Sequence, residues 1–359
     1  MNHLAYLHSI GFSQSNLSRI FFDRENYQEF FETFSLDTLT NLGIKTERAQ
    51  SILKNRQMMK FSMIDATLKK FNIKILTLHD ARYPILLKNI THPPFLLYVR
   101  WDLRDTTNLI SIVGSRKNSK YSEIALEKII PDLIQAGFWV ISGWAYWVDA
   151  LSHVITLAHG GYTIAVVGTG VDLVYPAQNR ELFSSIIQTG WAIVSQFPLS
   201  TRAEIYNFPI RNEIVAAMSR WVIIGEAAEK SWTLITARLA LEMNRDVFVI
   251  PGDITRPNSV WTNTLIRDGL WKLIMSAEDV LNEYHLQMNI FWEQREKREE
   301  LHFDDDTERM IYELLVQGPL DASAISDTLD IDASIVLFKC SMLEVKWFSR
   351  YDGGKYMIQ

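Results

Sequence analysis

Short apolar runs recur through the middle of the chain, and segments with helical spacing separate most of them. The runs that we predict to be strands are Leu109–Val113, Trp139–Ser142, Thr163–Val167, Ala192–Ser195, Trp221–Ile224, Val247–Ile250 and Lys272–Met275. The helical segments between them include Ser122–Ala136, Asp149–Ala158 and Leu234–Met243. This alternation is typical of βαβ units in a parallel sheet. We therefore predict an α/β protein with a Rossmann-like parallel-sheet central domain over residues 105–284.

The segments on either side of this centre have other patterns. Residues 1–70 are helical in pattern, and the run Leu39–Ile44 resembles the glycine turn of a helix-hairpin-helix or SAM-like module, although a small packing domain is the favoured interpretation. Residues 71–104 are expected to be a connecting segment. Residues 285–306 hold a run of charged side chains and are predicted to be a linker. Residues 307–359 show three helical patterns and then a glycine turn between short extended pieces, the order of a C-terminal winged helix.

Composition narrows the class of protein. The chain has 359 residues, of which 48% are hydrophobic and 22% charged, so it is long enough for two or three domains and too apolar to be disordered. Its single cysteine, Cys340, favours a reducing compartment, and we expect a cytoplasmic protein. No run reaches the roughly 18 apolar residues of a membrane span, so no membrane association is expected. The net charge of −6 gives no global basic field for nucleic acid, and any anion site must be local.

The first candidate anion site follows the predicted strand Leu109–Val113. Gly114 and Ser115 form a turn of small residues, and a helix is predicted to follow. Glycine permits close approach of the backbone, and the first turn of a helix presents unpaired amides with partial positive charge. Arg116 and Lys117 add full charges beside these amides. The pattern predicts an anion at this turn, and a turn with solvent-facing basic residues is the alternative.

Three more candidate segments lie beside predicted strand ends, where open α/β sheets bind ligands. Ser142 and Gly143 lead to Asp149 and His153, which stand four residues apart and share one helix face. That pair could serve as an acid/base or metal pair, but we favour a hydrogen bond on a helix surface because no third ligand or nucleophile stands nearby. The other candidates are Arg211, Asn212, Lys230, Ser231 and Thr233.

Two familiar nucleotide signatures fail when they are tested against the chain. Gly168-Thr169-Gly170 begins like a dinucleotide fingerprint, but Leu173 stands where the third glycine belongs. The segment 225–231 resembles a phosphate loop, but it is one residue short and has Glu229 before the lysine. Neither NAD nor ATP binding is supported, and we expect no cofactor, no metal and no catalytic residue.

Taken together, these segments resemble the DNA-processing protein A family, also called DprA or Smf. The similarity extends over nearly the whole chain and is specific in the centre, where it runs through SIVGSRKNS, SGWAYWVDALSH, GGYTIAVVGTGVDLVYP, FPIRNEIVAAMS, EAAEKSWTLITARLALE, VIPGDI and TNTLIRDG. The resemblance implies a protein that is not an enzyme: it binds and protects single-stranded DNA during natural transformation, loads the RecA recombinase onto it, and forms a homodimer through the central domain. The residues carried over as DNA contacts are Gly114, Ser115, Arg116, Lys117, Ser142, Gly143, Arg211, Asn212, Lys230, Ser231 and Thr233.

Most departures of the chain from the family pattern are of one kind, a tryptophan at a glycine position. Tryptophan stands where that pattern has glycine at Trp101, Trp144, Trp147, Trp191, Trp221, Trp232, Trp261 and Trp347. Glycine is needed where φ is positive or where backbone approaches a ligand, so an indole at Trp232 would fill the anion site. We hypothesise that these codons are UGA, translated as tryptophan in this sequence but decoded as glycine in the source organism. A degenerate homologue, or indoles recruited to stack on bases, is the alternative.

Two smaller departures concern polar residues. Gln196 stands where the family usually has glutamate, and Glu213 stands where a second arginine usually follows Arg211 and Asn212. Glu213 therefore removes a positive charge from the edge of the expected site.

Two other functions stay open. A nucleoside-monophosphate phosphoribohydrolase on a related Rossmann-like fold would use a PGG-type loop and a nearby glutamate, but the turn Pro251–Asp253 lacks that pattern and nothing near Thr233 supplies the carboxylate. An inactive scaffold is the third reading. The third predicted helix of the winged helix carries Lys339 and Lys346 but also Glu344, so it has few positive charges for binding in a DNA groove. We favour a protein contact or a regulatory role for the winged helix.

Overall fold

The computed structural model of the protein describes two compact units, residues 1–286 and 287–359. The residues that it describes are 2–23, 25–104, 108–115, 119–227, 232–269, 271–283, 303–316, 318–345 and 348–358. Four of the predicted contact residues and one of the tryptophans of interest lie outside these ranges: Arg116, Lys117, Lys230, Ser231 and Trp347. The same holds for nearly all of the predicted linker 285–306.

Six helices cover most of residues 2–70. They are α1 (Asn2–Ile10), α2 (Gln14–Phe21), α3 (Tyr27–Thr33), α4 (Leu36–Asn41), α5 (Thr46–Met58) and α6 (Phe61–Lys70). Ser13 and Ser35 begin α2 and α4 with capping boxes, in which the serine hydroxyl accepts a hydrogen bond from the third helical amide. Gly43, with φ of 74°, turns the chain between α4 and α5. The assignment of these helices to a helix-hairpin-helix module stays a prediction.

A nine-stranded sheet forms the centre of the first unit. Its strands are β1 (Ile73–Thr77), β2 (Leu96–Arg100), β3 (Leu109–Val113), β4 (Trp139–Ser142), β5 (Thr163–Val166), β6 (Ala192–Ser195), β7 (Trp221–Ile224), β8 (Asp246–Val249) and β9 (Lys272–Leu273). The spatial order is β1-β2-β6-β5-β4-β3-β7-β8-β9. The pairs β1–β2 and β2–β6 are antiparallel, and every other pair is parallel.

The predicted mixed α/β fold with a mostly parallel central sheet is confirmed. The segment 71–104, which the sequence suggested was a connection, contributes β1 and β2 to the sheet. The predicted strand at Lys272–Met275 is shorter in the structure, because β9 is an exposed edge strand that pairs with β8 at only two positions.

Helices cover both faces of this sheet. The helices of the sheet region are α7 (Ile85–Lys88), α8 (Lys120–Gln135), α9 (Val148–Ala158), α10 (Arg180–Gln188), α11 (Asn207–Ala217), α12 (Trp232–Glu242), α13 (Val260–Arg267) and α14 (Ala277–Glu283). Side chains of β3 alternate between the two faces, as expected for a strand that is buried on both sides. Ile110 and Ile112 pack with α8, whereas the Ser111 hydroxyl donates a hydrogen bond to the Val215 carbonyl of α11 at 2.6 Å.

The order of the strands creates a switch point beside β3. The chain adds β4, β5 and β6 on one side of β3 and then crosses to add β7, β8 and β9 on the other side. The helices that follow β3 and β7 therefore leave the sheet toward opposite faces, and a crevice opens between the carboxyl ends of these two strands. This position is where a doubly wound sheet binds its ligand.

The described residues of the second unit form three helices and a hairpin. These are α15 (Asp306–Val316), α16 (Ala322–Leu329), α17 (Ala333–Val345), β10 (Ser349–Asp352) and β11 (Lys355–Ile358). Gly353 and Gly354 both have positive φ and form the turn between the antiparallel strands. The core of this unit includes Ile311, Leu315, Ile325, Val336, Cys340, Leu343 and Tyr356. The elements follow the predicted order, and the winged-helix classification stays a prediction.

Across the helices that the structure describes, none has both the length and the apolar character needed to cross a lipid bilayer.

Candidate nucleic-acid interface

Four turns meet at the carboxyl ends of neighbouring parallel strands. Strand β3 pairs with β4 and with β7, and β4 pairs with β5, so the turns after these strands form one continuous surface. We call this surface the strand-end edge, and it comprises residues 114–115, 143–145, 168–170 and 225–227. Helices α8, α9 and α12 begin just beyond three of these turns. Their first turns direct unpaired amides and the positive end of each helix dipole toward the edge.

Gly114 has no space for a side chain. A Cβ atom built on it would lie 2.6 Å from Cγ1 of Val148, the first residue of α9. This distance is well inside van der Waals contact, so glycine is required for α9 to pack against the end of β3. The turn after β3 and the start of α9 are therefore in direct contact.

Gly143 lies between two charged side chains. A Cβ atom built there would lie 2.8 Å from Cζ of Arg211 and would collide with Oδ2 of Asp149. The same carboxylate oxygen accepts a hydrogen bond from the Ala145 amide at 3.2 Å. The guanidinium and the carboxylate thus hold the turn after β4 from two sides, and even a methyl group at Gly143 would displace them.

The Arg211-Asn212 pair, predicted to contact DNA, lies near the start of α11 with its side chains turned into the protein. The Arg211 side chain is only 2% exposed. Its Nη1 donates to the Val166 carbonyl at 2.6 Å, and its Nε donates to Oδ1 of Asn212 at 3.0 Å. A charge at this depth is tolerated because hydrogen bonds satisfy it. Arg211 therefore links the end of β5 to the Gly143 turn beneath the strand-end edge.

Asp149 and His153 do not form the hydrogen bond on a helix surface that the sequence favoured. Both are buried, and His153 uses its two ring nitrogens elsewhere: Nε2 lies 3.0 Å from the Gly143 carbonyl and Nδ1 lies 2.6 Å from Oγ1 of Thr163. Burial lowers the pKa of His153 to about 4, despite its hydrogen bond to Gly143. The ring is thus neutral near pH 7, and Nε2 carries the proton because a carbonyl can only accept. Asp149 and His153 each stabilise the Gly143 turn from the helix side.

The remaining predicted contact residues within the described ranges are also largely buried. The Ser142 hydroxyl is inaccessible and donates to the Ile112 carbonyl at 2.5 Å, which ties β4 to β3. Ser115 and Thr233 are both buried, Ser115 just after β3 and Thr233 in the first turn of α12. The structure therefore brings Gly114, Ser115, Ser142, Gly143 and Arg211 to one edge, and the side chains of the two serines and the arginine are buried.

Sequence reasoning missed a carboxylate at the switch point. Glu226 lies two residues beyond the end of β7 and is 1% exposed. Its Oε1 accepts a hydrogen bond from the Ser119 hydroxyl at 2.7 Å, while its Oε2 has no hydrogen-bond partner among the residues that the structure describes. Ser119 is the N-cap of α8 and accepts a hydrogen bond from the Ser122 amide. The sequence signal that could have identified it is a glutamate just after an apolar strand. Burial of a charge there costs free energy, so such a residue is kept where it has a structural or functional role.

Positive φ angles bear on the tryptophan positions. Trp101 and Trp147 have φ of 74° and 71°, a region that side chains with a Cβ atom rarely adopt. Trp147 is the N-cap residue of α9, directly before the valine that fills the space beside Gly114. Trp144 has an ordinary φ but is buried, and its indole N–H has no hydrogen-bond partner. These three positions have features that glycine would relieve.

Other tryptophans do not lie in strained turns. Trp221 begins β7 and packs edge-on against Phe138 at 5.0 Å between ring centroids. Trp191 packs against Tyr162, and Trp261 lies within α13. Trp221 and Trp261 therefore lie within regular elements and not in turns. Trp232 is the first residue of α12, and nothing further is described for its side chain.

The two polar departures lie close to the same edge. The Gln196 amide donates to the Ile210 carbonyl of α11 at 3.2 Å, so it contributes to the support of that helix. Glu213 is half-buried on α11, and burial raises the pKa of its carboxyl group, against the opposing effect of His92.

Among the residues that the structure describes, no three His, Cys, Asp or Glu side chains stand together as a metal site. The groups that the strand-end edge offers are backbone amides and the starts of helices.

Comparisons with known proteins identify relatives of this architecture. The family model described as DNA recombination-mediator protein A matches residues 74–285. The chain is 41% identical over 220 residues to the protein Smf of Synechocystis, which covers 60% of this chain and 53% of that protein. The match thus spans about half the length of that relative.

Two solved structures share the fold. The crystal structure of DNA processing protein A from Streptococcus pneumoniae superposes with a TM-score of 0.67 at 29% identity, covering 79% of this chain and 98% of that one. A structure of DNA processing protein A from Helicobacter pylori, described for its single-stranded DNA binding mode, gives a TM-score of 0.53 at 26% identity. It covers 60% of this chain and 96% of that one.

Proposed function

This chain belongs to the DNA recombination-mediator protein A family, and from that membership we propose that it binds single-stranded DNA along the strand-end edge. It protects the bound strand and loads the RecA recombinase onto it during natural transformation, without making or breaking a covalent bond. The observation that carries the proposal is the crowded Gly143 turn, held between Asp149 and Arg211 at an edge where three helices begin. Such an edge suits the phosphates of a flexible strand.

The proposal divides the predicted contacts into two roles. Arg116, Lys117 and Lys230 contact phosphates, because they flank the edge in sequence and carry full positive charges. Backbone amides at Gly114, Ser115 and Gly143, together with Ser231 and with Thr233 in the first turn of α12, bind the backbone of the strand between them. Arg211, Asn212 and Ser142 are positioning residues, since their polar atoms already bind protein groups beneath the edge.

Partners belong to the same proposal. We expect a homodimer, which would present two strand-end edges to one DNA molecule and raise the avidity for it. RecA docking follows from family membership, and so does the absence of catalysis. The cytoplasmic location inferred from the cysteine content stays a prediction.

The discriminating experiment is a titration of fluorescent oligo-dT at several salt concentrations. Arg116→Ala and Lys230→Ala should each reduce the slope of log affinity against log salt by about 0.7 to 1, because each removes one phosphate contact. Arg211→Gln should weaken binding while leaving that slope unchanged, because the buried guanidinium positions the turn and releases no counterion.

Several results would overturn the proposal. Unchanged slopes for both Arg116→Ala and Lys230→Ala would remove these residues from the interface. A reduced slope for Arg211→Gln would mean that Arg211 contacts phosphate directly. Release of free base from nucleoside monophosphates by the purified protein would favour the phosphoribohydrolase instead.

A further inference from the structure

The net negative charge of the chain comes from its C-terminal part. Residues 287–359, the second unit, contain 15 acidic and eight basic side chains, a net charge of −7. Residues 1–286 contain 27 acidic and 28 basic side chains, a net charge of +1. The second unit therefore repels polyanions such as DNA.

The outer face of α17 is apolar. Ile335, Leu337 and Phe338 are 46%, 48% and 59% exposed, whereas Val336, Cys340 and Leu343 on the opposite face fill the core of the unit. Ser334 and Ser341 complete the outer face. Glu344, three residues after Ser341 and seven after Leu337, is a partly exposed carboxylate at the border of this face.

The one cation described on α17 borders that face, 5.7 Å from the centre of the Phe338 ring, and is paired within its own unit. The Lys339 ammonium lies 2.5 Å from Oδ2 of Asp305 and 3.5 Å from Oε1 of Glu308 at the start of α15. Its hydrogen bond to Asp305 raises the pKa of Lys339, so the group stays charged and paired. The Lys339 ammonium is thus neutralised by two carboxylates of its own unit and is not available to contact a phosphate.

We propose that the outer face of α17 docks a basic amphipathic helix of a partner protein. The apolar side chains of that helix would cover Ile335, Leu337 and Phe338, and its flanking lysines or arginines would lie near the exposed Asp330 and Asp332 before α17. Charge complementarity selects this occupant. Duplex DNA would meet an acidic unit with no available cation on the helix, and a second copy would bring another net charge of −6 against the first.

The size of the surface sets the kind of complex. From Ile335 to Phe338 is about one turn of helix, so the partner would contribute two or three apolar residues at i, i+3 or i+4, and i+7. An interface this small is weak and transient and depends strongly on its aromatic residue. Phe338 is the largest exposed side chain of the face and is expected to dominate binding.

The test uses the full chain and two designed peptides of about four helical turns. One carries leucine at i, i+3, i+4 and i+7 with lysine at the other positions, and the second replaces every lysine by glutamate. Fluorescence anisotropy should show binding of the lysine peptide, and at least tenfold weaker binding of the glutamate peptide. The double variant Ile335→Ser, Phe338→Ser should weaken the lysine peptide about tenfold.

Met310→Ser is the matched control, because Met310 is an exposed apolar residue of α15 in the same unit. It should bind the lysine peptide like the parent chain. Three results would overturn the proposal: equal peptide binding by the double variant and the parent, loss of duplex DNA binding in the double variant, or conversion of a dimer to a monomer in sedimentation. The second would identify a nucleic acid as the occupant and the third a second copy of the chain. The oligo-dT titration is independent of all three.

Discussion

At the scale of single residues, Trp147 combines the largest side chain with a backbone conformation suited to the smallest. Its φ of 71° places Val148 in the space beside Gly114, so the unusual conformation is part of how the strand-end edge is built. Trp101 has the same sign of φ at another turn. These angles support the hypothesis that glycine is the native residue at both positions. Codons reading UGG at Trp147, Trp232 and Trp261 would contradict it.

Replacement of Trp147 by glycine should relieve backbone strain. We expect Trp147→Gly to be more stable than Trp147→Ala by about 1 kcal/mol, because both variants lose the indole but only glycine removes the Cβ penalty at positive φ. Urea denaturation at neutral pH measures the difference in the free energy of unfolding.

Trp147 is 45% exposed, so part of its indole is buried and contributes packing. Both variants lose that packing, so the difference in stability between Trp147→Gly and Trp147→Ala reports backbone strain alone. Trp221 provides a second control. It lies in β7 at an ordinary φ, so Trp221→Gly should be less stable than Trp221→Ala. Equal stability of the two Trp147 variants would refute the strain argument.

At the scale of elements, the candidate site depends on how closely α9 and α11 approach the ends of β3 to β5. Gly114 contacts α9, and Gly143 lies between an α9 carboxylate and an α11 guanidinium. The Asn207 side chain at the start of α11 donates to the Gly168 carbonyl at 3.0 Å. The strand-end edge is therefore held by helices that are distant in sequence from the turns that they support.

A methyl group at Gly143 should disrupt this arrangement. Gly143→Ala is expected to weaken oligo-dT binding about tenfold, because the new Cβ atom would displace Arg211 and Asp149 and with them the turn. Anisotropy titration at fixed salt measures the change, and circular dichroism checks that the fold persists.

Gly225→Ala is the matched control on the same edge. Its Cβ atom would lie 3.4 Å from Val148, an ordinary contact, so binding should stay within about twofold of the parent. Equal losses for the two variants would indicate that the edge tolerates no side chain anywhere, and equal retention would show that the Gly143 turn is not needed for binding.

At the scale of the whole molecule, two buried histidines link folding to pH. His8 of α1 lies 3.2 Å from the Tyr98 hydroxyl of β2, and His153 of α9 supports the Gly143 turn. Burial lowers the pKa of His8 to about 3 and that of His153 to about 4. Both rings are neutral in the native state across the range in which free histidine becomes protonated.

The stability of the protein should therefore fall as the pH falls below about 6.5. The unfolded chain binds protons there and the native state does not, so each buried histidine should lower the free energy of unfolding by about 2 kcal/mol between pH 7 and pH 5. His153→Gln should reduce this pH dependence by that amount. The measurement is urea denaturation of parent and variant at both pH values.

His159→Gln is the control, because His159 ends α9 with an exposed side chain. It should keep the pH dependence of the parent chain. A His153→Gln variant that also keeps it would show that His153 is protonated in the native state, against the geometry of its two contacts.

Much of the fold follows from local pattern. The runs Leu109–Val113 and Ala192–Ser195 coincide with β3 and β6, because a strand buried on both faces is a continuous apolar run bounded by polar residues or glycine. The edge strand β1 and its neighbour β2 were not predicted, because β1 includes polar residues and β2 joins the sheet by pairing antiparallel with β6, which is remote in sequence. Strand partners of this kind are fixed by tertiary packing.

The sequence by itself determined the α/β class, the glycine turns and the residue types of an anion site, since these follow from short-range periodicity and from what glycine and arginine can do. Only the tertiary structure decided that Arg211 is buried beneath the turn, that His153 serves Gly143 and not Asp149, and that Lys339 faces the acidic start of α15. The direction of a side chain depends on which elements pack around it. That information lies in contacts between distant segments, and no local pattern in the sequence encodes it.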